Sequence, residues 1–414
     1  VQSQNLSNFY ADANGGATFA PDFLLGDLPQ LIDIYTAKID YVRPLKKGAR
    51  LEAGLKTSFV ETDANAVYDS IINGALVRDF GRSNHFVYDE NINAAYVNYS
   101  RPLSKKLSTQ LGLRLENTVA NGNQITTGET FRLSYTQLFP TVFVQYDASE
   151  QHSWSINYGR RIRRPDYESL NPFVEFLDRF TFEQGNPRLR PQFSHNIEAG
   201  HTYKSFLSTT LNYTQTNNII QQVLEQNEQT NQTFVKQANI ARQRQFGAAV
   251  SAFMKVKNLS GNIYVNVYNN EFSGIVNNTP VTIGATTAVF NATASYRFKS
   301  GFATELSGFY RTEGVEGVFR IGAFGAMNLG ASMPLFKNKG TIRLSVRDVL
   351  WSQRIKGESR FGNIDARFRQ FNDSRQVSIS FTYRISKGKL NGNGKKNAGS
   401  GAADEQSRVK GADN

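Results

Sequence analysis

Apolar and polar residues alternate with a period of two over most of the chain. At 377–385, for example, Val377, Ile379, Phe381 and Tyr383 are separated by single polar residues. This is the period of a strand with one apolar and one polar face, and no stretch of helical period competes with it. The alternation predicts about 15 strands, near 31–43, 49–62, 84–101, 105–120, 129–148, 151–163, 191–204, 207–224, 232–256, 259–272, 283–299, 301–313, 317–335, 339–350 and 358–386.

The lengths of the strands and of their connections define the fold class. Several strands far exceed the roughly 5–6 residues usual in soluble sheets. Short turns, as at 44–48 and 102–105, alternate with longer loops, as at 63–83 and 164–190. These features are typical of an all-β, transmembrane antiparallel β-barrel with short periplasmic turns and longer extracellular loops. The alternative is a soluble sandwich or propeller, which the strand lengths and the loop asymmetry disfavour.

Composition supports a barrel and excludes several other classes of protein. The 414 residues include no Cys, so disulfides, thiolate metal sites and thiol nucleophiles are excluded. No run of 18 apolar residues occurs, so a transmembrane helix is not expected. The 30 Phe and 18 Tyr are concentrated near strand ends, where aromatic girdles of a membrane barrel would lie.

The distribution of charge indicates a wet interior. The formal net charge is +12, and residues such as Lys56, Arg114 and Glu116 fall on the face opposite the aliphatic residues. In a soluble core each of these charges would need a buried partner, whereas a water-filled or plugged lumen tolerates them. No clustered basic patch of the kind that binds nucleic acid is present, so no nucleic-acid partner is expected.

The two ends of the chain differ from the central region, 31–386, which we predict to be the barrel. Residues 1–30 contain Asn-Gly-Gly and two prolines, and we predict a loop segment there. Residues 387–414 are rich in Gly, Lys, Asn and Ser, a composition that cannot bury a core. We predict a flexible polar periplasmic tail for 387–414.

The loop 164–190 carries the strongest candidate chemistry. Arginines at its start suit bidentate recognition of an anion, and its aromatic residues suit stacking on a ligand. The candidate ligand-binding residues are Arg163, Arg164, Tyr167, Asn171, Phe173 and Asn186. The alternative, which we favour, is that the aromatic residues pack against neighbouring loops. The arginines would then pair with loop acids or with surface lipopolysaccharide.

No motif indicates catalysis or a metal site. The chain contains no Gly-x-Ser-x-Gly, His-Glu-x-x-His, phosphate loop or dinucleotide fingerprint. His195 and His201 lie six residues apart in one strand, about 20 Å by strand rise, which is too far to share a metal ion. We therefore expect no enzyme activity, no metal and no cofactor.

Three short motifs at 154–191 follow one another in order. They are Tyr-Gly-Arg-Arg-Ile-Arg-Arg-Pro, Leu-Asn-Pro-Phe and Gly-Asn-Pro-Arg-Leu-Arg-Pro. Together with segments 84–96, 344–350 and 381–385, they resemble outer-membrane β-barrel proteins of the TonB-dependent receptor superfamily. The resemblance implies a barrel of about 22 strands with an N-terminal plug. Neither a plug nor a TonB box is found in this chain, which therefore resembles the C-terminal barrel portion.

The resemblance implies a transporter-like barrel in the cell outer membrane that imports an unidentified ligand. The partners it implies are outer-membrane lipid and lipopolysaccharide, the barrel assembly machinery, the TonB complex through an absent plug domain, and a surface lipoprotein. A second hypothesis is a surface structural or adhesin-type barrel without transport. A third, an outer-membrane hydrolase, lacks a catalytic constellation.

Overall fold

The structure, a computed structural model, describes residues 2–11, 16–72, 74–172, 174–177, 180–227, 229–276, 279–361, 364–385 and 401–409. Nearly all the regular structure in these ranges is β. The strands are β1 (Gln2–Ala11), β2 (Ala17–Leu28), β3 (Gln30–Pro44), β4 (Arg50–Ile72), β5 (Ala75–Arg78), β6 (Asn84–Pro102), β7 (Leu107–Gln124), β8 (Glu129–Ser149), β9 (His152–Arg163), β10 (Val174–Phe176), β11 (Thr181–Gln184), β12 (Gln192–Tyr203), β13 (Leu207–Asn227), β14 (Gln232–Val256), β15 (Leu259–Val276), β16 (Thr279–Arg297), β17 (Ala303–Arg311), β18 (Gly314–Glu316), β19 (Phe319–Ile321), β20 (Phe324–Leu335), β21 (Gly340–Arg347), β22 (Arg354–Phe361), β23 (Ile364–Phe371) and β24 (Gln376–Tyr383). Two short helices, α1 (Tyr167–Leu170) and α2 (Ala403–Gln406), and a 3-10 turn (Lys46–Gly48) complete the secondary structure. Within the described residues, no helix is long and apolar enough to cross a membrane.

The barrel wall is one antiparallel succession of long strands. Pairing runs in chain order through β3, β4, β6, β7, β8, β9, β12, β13, β14, β15, β16, β17, β20, β21 and β24. The ladder between β6 and β7 is unbroken from Phe86 opposite Gln124 to Pro102 opposite Ser108. The predicted all-β antiparallel barrel fold is confirmed, and these strands match the predicted set closely. Among the described residues, β3 and β24 pair with one strand of the wall each.

The two faces of the wall have opposite chemistry, as the period of two requires. Large apolar side chains on the outer face are exposed, with Leu113, Leu115 and Leu138 all 46–49% accessible. On the inner face Glu116 and Thr118, from the same strand, are buried. Exposed aliphatic rows on long strands match a hydrocarbon environment, whereas charges on the inner face match a lumen.

The loops of the last strands build a separate four-stranded sheet. It joins β18 and β19 to the hairpin of β22 and β23. Predicted strand 358–386 is therefore wrong as a single element, because it covers the end of β22, all of β23 and β24. The apolar spacing breaks between Phe361 and Ile364 and again over the polar run 372–376, and the prediction of one strand passed over both breaks.

Asp348 fixes the route from β21 into this sheet. Its side chain is 1% exposed and accepts hydrogen bonds from the backbone N–H of Ser352 (2.9 Å) and Gln353 (3.1 Å) and from the Ser374 hydroxyl. Burial disfavours the charge, but these hydrogen bonds outweigh it and lower the pKa of Asp348. The Asp348 carboxylate thus binds both the start and the end of the segment that connects β21 to β24.

Both chain ends differ from the sequence-based expectation. Residues 1–30 contain β1 and β2 rather than only loop, and β2 continues the pairing of β3 on β4 in the same register. Pro29 interrupts the strand because it has no N–H, but its carbonyl still accepts from Asn65 N–H at 3.1 Å. Residues 401–409 of the predicted flexible tail lie against the inner wall near Lys56. The domain boundaries proposed from the sequence otherwise remain predictions.

Candidate functional site

The loop 164–190 folds into the mouth of the barrel. Tyr167 and Leu170 of α1 are 2–3% exposed and pack with wall residues Phe86 and Tyr88. Leu189, near the other end of the loop, belongs to the same cluster. The loop therefore shares an apolar core with the wall. Tyr167 packs against strand β6, and not against a neighbouring loop as the sequence had suggested for the aromatic residues.

The two Asn-Pro motifs close the loop on itself and on the wall. The backbone N–H of Asn186 donates to the Ser169 carbonyl at 2.7 Å, and its side-chain amide donates to the Gln237 carbonyl at 3.0 Å. Asn171 accepts from the Asn84 side chain at 3.0 Å. Gly185 lies so close to Asn171 that an added Cβ would stand 1.8 Å from the Asn171 carbonyl oxygen. These motif residues set the shape of the loop.

Arg164 is anchored by an acid of the wall. Its guanidinium donates to Glu116 and, at 3.1 Å, to the Thr118 hydroxyl. Arg114 holds the other oxygen of Glu116, with its Nε at 2.8 Å. Burial disfavours the charge of Arg164, yet Tyr135 and Glu116 raise its pKa above the ordinary value, so the residue stays protonated. The predicted pairing of this arginine with loop acids is wrong, because its partner is a strand residue.

The environment of Arg160 differs from that of Arg164. Its guanidinium lies 4.8 Å from the centroid of Phe193 and 5.5 Å from that of Phe139, and it donates to the Leu138 carbonyl and the Gln137 side chain at 2.7 Å. Stacking of this kind holds a guanidinium in one orientation. Arg160 is therefore a fixed part of the wall.

Below the loop is a cavity of about 740 Å³ that we call the arginine cavity. The charged residues that line it are Lys38, Arg114, Arg160, Arg161, Arg163, Arg164 and Arg408, with Glu52, Glu116, Asp166 and Asp404. Cations exceed acids in this lining, and Arg161 and Arg163 are exposed. An excess of positive charge in a concave, partly shielded site favours an anionic ligand.

The structure separates the six predicted ligand-binding residues into groups. Arg163 and Arg164 line the arginine cavity. Tyr167 lies in the apolar cluster, and Asn171 and Asn186 lie in the loop closure, away from that cavity. Phe173 lies outside the described residues. That any of them contacts a ligand remains a prediction.

Sequence analysis placed Lys56 on the inner face, but it missed Glu90 and the partners of both residues. Lys56 and Glu90 are 8% and 2% exposed, and their partners are Glu405 and Arg408, more than 300 residues further along the chain. The alternation along β4 and β6 places Lys56 and Glu90 on the inner face, but nothing in the sequence around them identifies their partners.

Two histidines also meet on the wall. Nδ1 of His152 lies 3.0 Å from Nε2 of His201, and Trp154 stacks on His201 at 4.0 Å between ring centroids. In the part of the chain that the structure describes, no group of three or more His, Cys, Asp or Glu is arranged to hold a metal ion.

An outer apolar face, a charged inner face and an inward-folded loop define an outer-membrane β-barrel with a polar lumen. The chain belongs to the outer membrane protein beta-barrel family, whose model matches residues 1–383, and its location is the cell outer membrane. No curated protein matches this chain in sequence.

Solved barrels of uptake proteins have a similar fold. The copper transporter OprC has a TM-score of 0.61 at 12% identity, over 88% of this chain and 57% of that chain. The ferric yersiniabactin uptake receptor FyuA from Yersinia pestis gives 0.60 at 14% identity, over 92% and 57%. The ferric citrate transporter FecA gives 0.57 at 11% identity, over 91% and 57%. This chain thus spans 57% of the length of each. The outer-membrane β-barrel family expected from the sequence is confirmed, and membership of the TonB-dependent receptor superfamily remains a prediction.

Proposed function

We propose that the chain is the barrel portion of a TonB-dependent receptor-type transporter that imports an anionic compound. The observation that carries the proposal is the arginine cavity, which combines a lumenal position with an excess of cations. Arg161 and Arg163 would bind the ligand, because their side chains are exposed there. Arg114 and Arg164 would keep the shape of the site through Glu116.

The structural neighbours support transport, and the unpaired edges of the wall indicate that more strands complete it. The structural neighbours named above are a copper transporter, a ferric yersiniabactin uptake receptor and a ferric citrate transporter. In addition, β3 and β24 each leave one edge without a partner among the described residues, and an open edge in hydrocarbon is strongly unfavourable. We infer that further strands complete the wall and that a plug carries the contact with TonB.

The test compares depletion of small molecules from the growth medium by mass spectrometry. Three strains are used: one with the gene, one without it, and one with the gene but without TonB. Import predicts at least one anionic compound whose depletion requires both the gene and TonB. Equal depletion by all three strains would refute import and support a surface structural or adhesin-type barrel.

A variant then assigns the site. Replacing Arg161 and Arg163 together by Ala should raise the concentration for half-maximal uptake about tenfold or more, the effect of losing one or two charge-assisted hydrogen bonds. The matched control is Arg360→Ala, since Arg360 lies half-exposed on the four-stranded sheet. The control should leave uptake unchanged.

A further inference from the structure

The segment 401–409 binds the inner wall through a buried carboxylate. Glu405 accepts from Lys56 Nζ at 2.9 and 3.0 Å and from the Ser58 hydroxyl at 2.8 Å. Glu405, Lys56 and Ser58 are each less than 9% exposed. Burial opposes the charge of Glu405, but the hydrogen bonds from Lys56 and Ser58 outweigh it and lower the pKa of its carboxyl.

A second anchor lies one helical turn further along. The guanidinium of Arg408 donates to Glu90 and, at 3.0 Å, to the Pro165 carbonyl, and it lies 4.2 Å from the ring centroid of Tyr167. Glu90 in turn accepts from the Tyr88 hydroxyl at 3.0 Å. Arg408 therefore binds the wall and the loop 164–190 at the same time.

These two anchors dominate the attachment of the segment. Its sequence, Gly-Ala-Ala-Asp-Glu-Gln-Ser-Arg-Val, has one large apolar residue, Val409, which packs against the cluster around Tyr167, so the hydrophobic contribution is small beside that of the two anchors. Its helix, α2, has only four residues and is too short to be stable alone. An attachment that depends on two buried ion pairs can be released as a unit, because the loss of one charge leaves the other partner buried without compensation.

The chain between the wall and the segment is long enough for release and return. Sixteen residue steps separate Ile385 from Gly401, which corresponds to a reach of up to about 50 Å. When docked, Asp404, Ser407 and Arg408 of the segment line the arginine cavity together with Arg164. The segment therefore occupies space in the lumen beside the only part of the wall where we place a ligand.

We propose that residues 401–409 form a releasable internal gate. The Lys56 and Ser58 pair is its carboxylate site, and Glu90 with the Tyr167 ring is its guanidinium site. In the docked state the segment covers this strip of the inner wall, and on release the strip opens to the lumen. The gate is a property of the chain itself and does not depend on which solute, if any, the barrel imports.

The test uses the absence of natural cysteine in the chain. Thr36→Cys places one thiol beside the segment without changing either anchor, because Thr36 lies opposite Ser58 and a Cβ added at Gly401 would stand 3.9 Å from its Cγ2. Its reaction with a membrane-impermeant methanethiosulfonate is timed in folded protein. We expect the full chain to react at least tenfold more slowly than a chain that ends at residue 385. Arg408→Ala in the full chain should raise the rate to within threefold of that of the truncated chain.

Two controls make the result specific. Asp404→Asn should keep the slow rate, because Asp404 also approaches Lys56 but at 3.6 Å and with a 79% exposed side chain. A thiol at Glu305→Cys, on the distant strand β17, should react equally fast in both chains. Equal rates for Thr36→Cys in the full and truncated chains would overturn the proposal, as would a parallel slowing at Glu305→Cys.

Discussion

Replacement of Glu116 by Gln should release the start of the loop 164–190 from the barrel wall. The Glu116 side chain is 3% exposed and lies between Arg114 and Arg164, which are 34% and 11% exposed. Gln keeps the size of the side chain but removes its charge. Arg164 then stays buried without a counter-ion, a state that burial strongly disfavours.

The size of the effect follows from this geometry. Breaking a buried, hydrogen-bonded ion pair by removing one partner costs about 3–5 kcal/mol. Part of that cost is recovered if Arg164 moves out into the lumen, and this movement opens the start of the loop 164–190. With about 3 kcal/mol in favour of opening, the open population rises about a hundredfold, since each 1.4 kcal/mol is a factor of ten.

Limited trypsin digestion of the folded protein measures this population, because cleavage follows the open fraction when opening is fast. The informative bond follows Arg163, since trypsin does not cut the Arg164–Pro165 bond. The control is Glu358→Gln, whose partner Arg360 is 51% exposed at 3.5 Å, a pair worth at most about 1 kcal/mol. Cleavage after Arg163 that rises less than threefold in Glu116→Gln would refute the reasoning.

Three further predictions address the gate, the membrane face and the four-stranded sheet. Docking lowers the pKa of Glu405, so the charged Glu405 stabilises the docked segment fully above the ordinary carboxyl pKa of 4.5, and this stabilisation is lost as the pH falls through the lowered pKa. The anisotropy of a fluorophore at Ser407→Cys should therefore stay constant above pH 4.5 and fall when the pH drops through the lowered pKa. Leu115→Arg on the outer face should destabilise the folded barrel by about 2–4 kcal/mol in a urea titration in lipid, whereas Asn98→Arg, at a residue that lines the lumenal cavity, should change the stability little. Asp348→Ala should speed hydrogen exchange of the two backbone amides that it accepts by about tenfold or more, the effect of losing about 1–3 kcal/mol of hydrogen bonding, and unchanged exchange would show that the carboxylate does not hold that loop.

The wall of the barrel could be predicted because a strand has one strict period. Any residue such as Leu113 assigned to the outer face places Glu116, three positions later, on the inner face, and the ladders keep that phase without interruption. The error at 358–386 came from passing over breaks in that period. Phe361 and Ile364 are three positions apart, and 372–376 are all polar; these breaks coincide with the turn between β22 and β23 and with the connection to β24.

Contacts between distant parts of the chain could not be predicted in the same way. Segment 401–409 has the composition of a disordered tail, and its anchors depend on Lys56 and Glu90, whose positions in space only the folded wall defines. Propensity and hydrophobicity describe neighbours in sequence. Neither property predicts that a polar segment held by two ion pairs is ordered, because the stability of such a segment comes from the site that it binds and not from its own residues.

The arginines of the cavity show why a motif of similar residues need not have one role. Arg164 is buried against Glu116, and Arg160 is stacked on Phe193, so both are already committed to the wall. Arg161 and Arg163 lie between these two in sequence and are exposed at the cavity. A strand that presents fixed and exposed guanidinium groups side by side can hold its shape while its exposed charges attract an anion. The charge available to a ligand is therefore smaller than the number of arginines in the motif suggests, and it lies at Arg161 and Arg163.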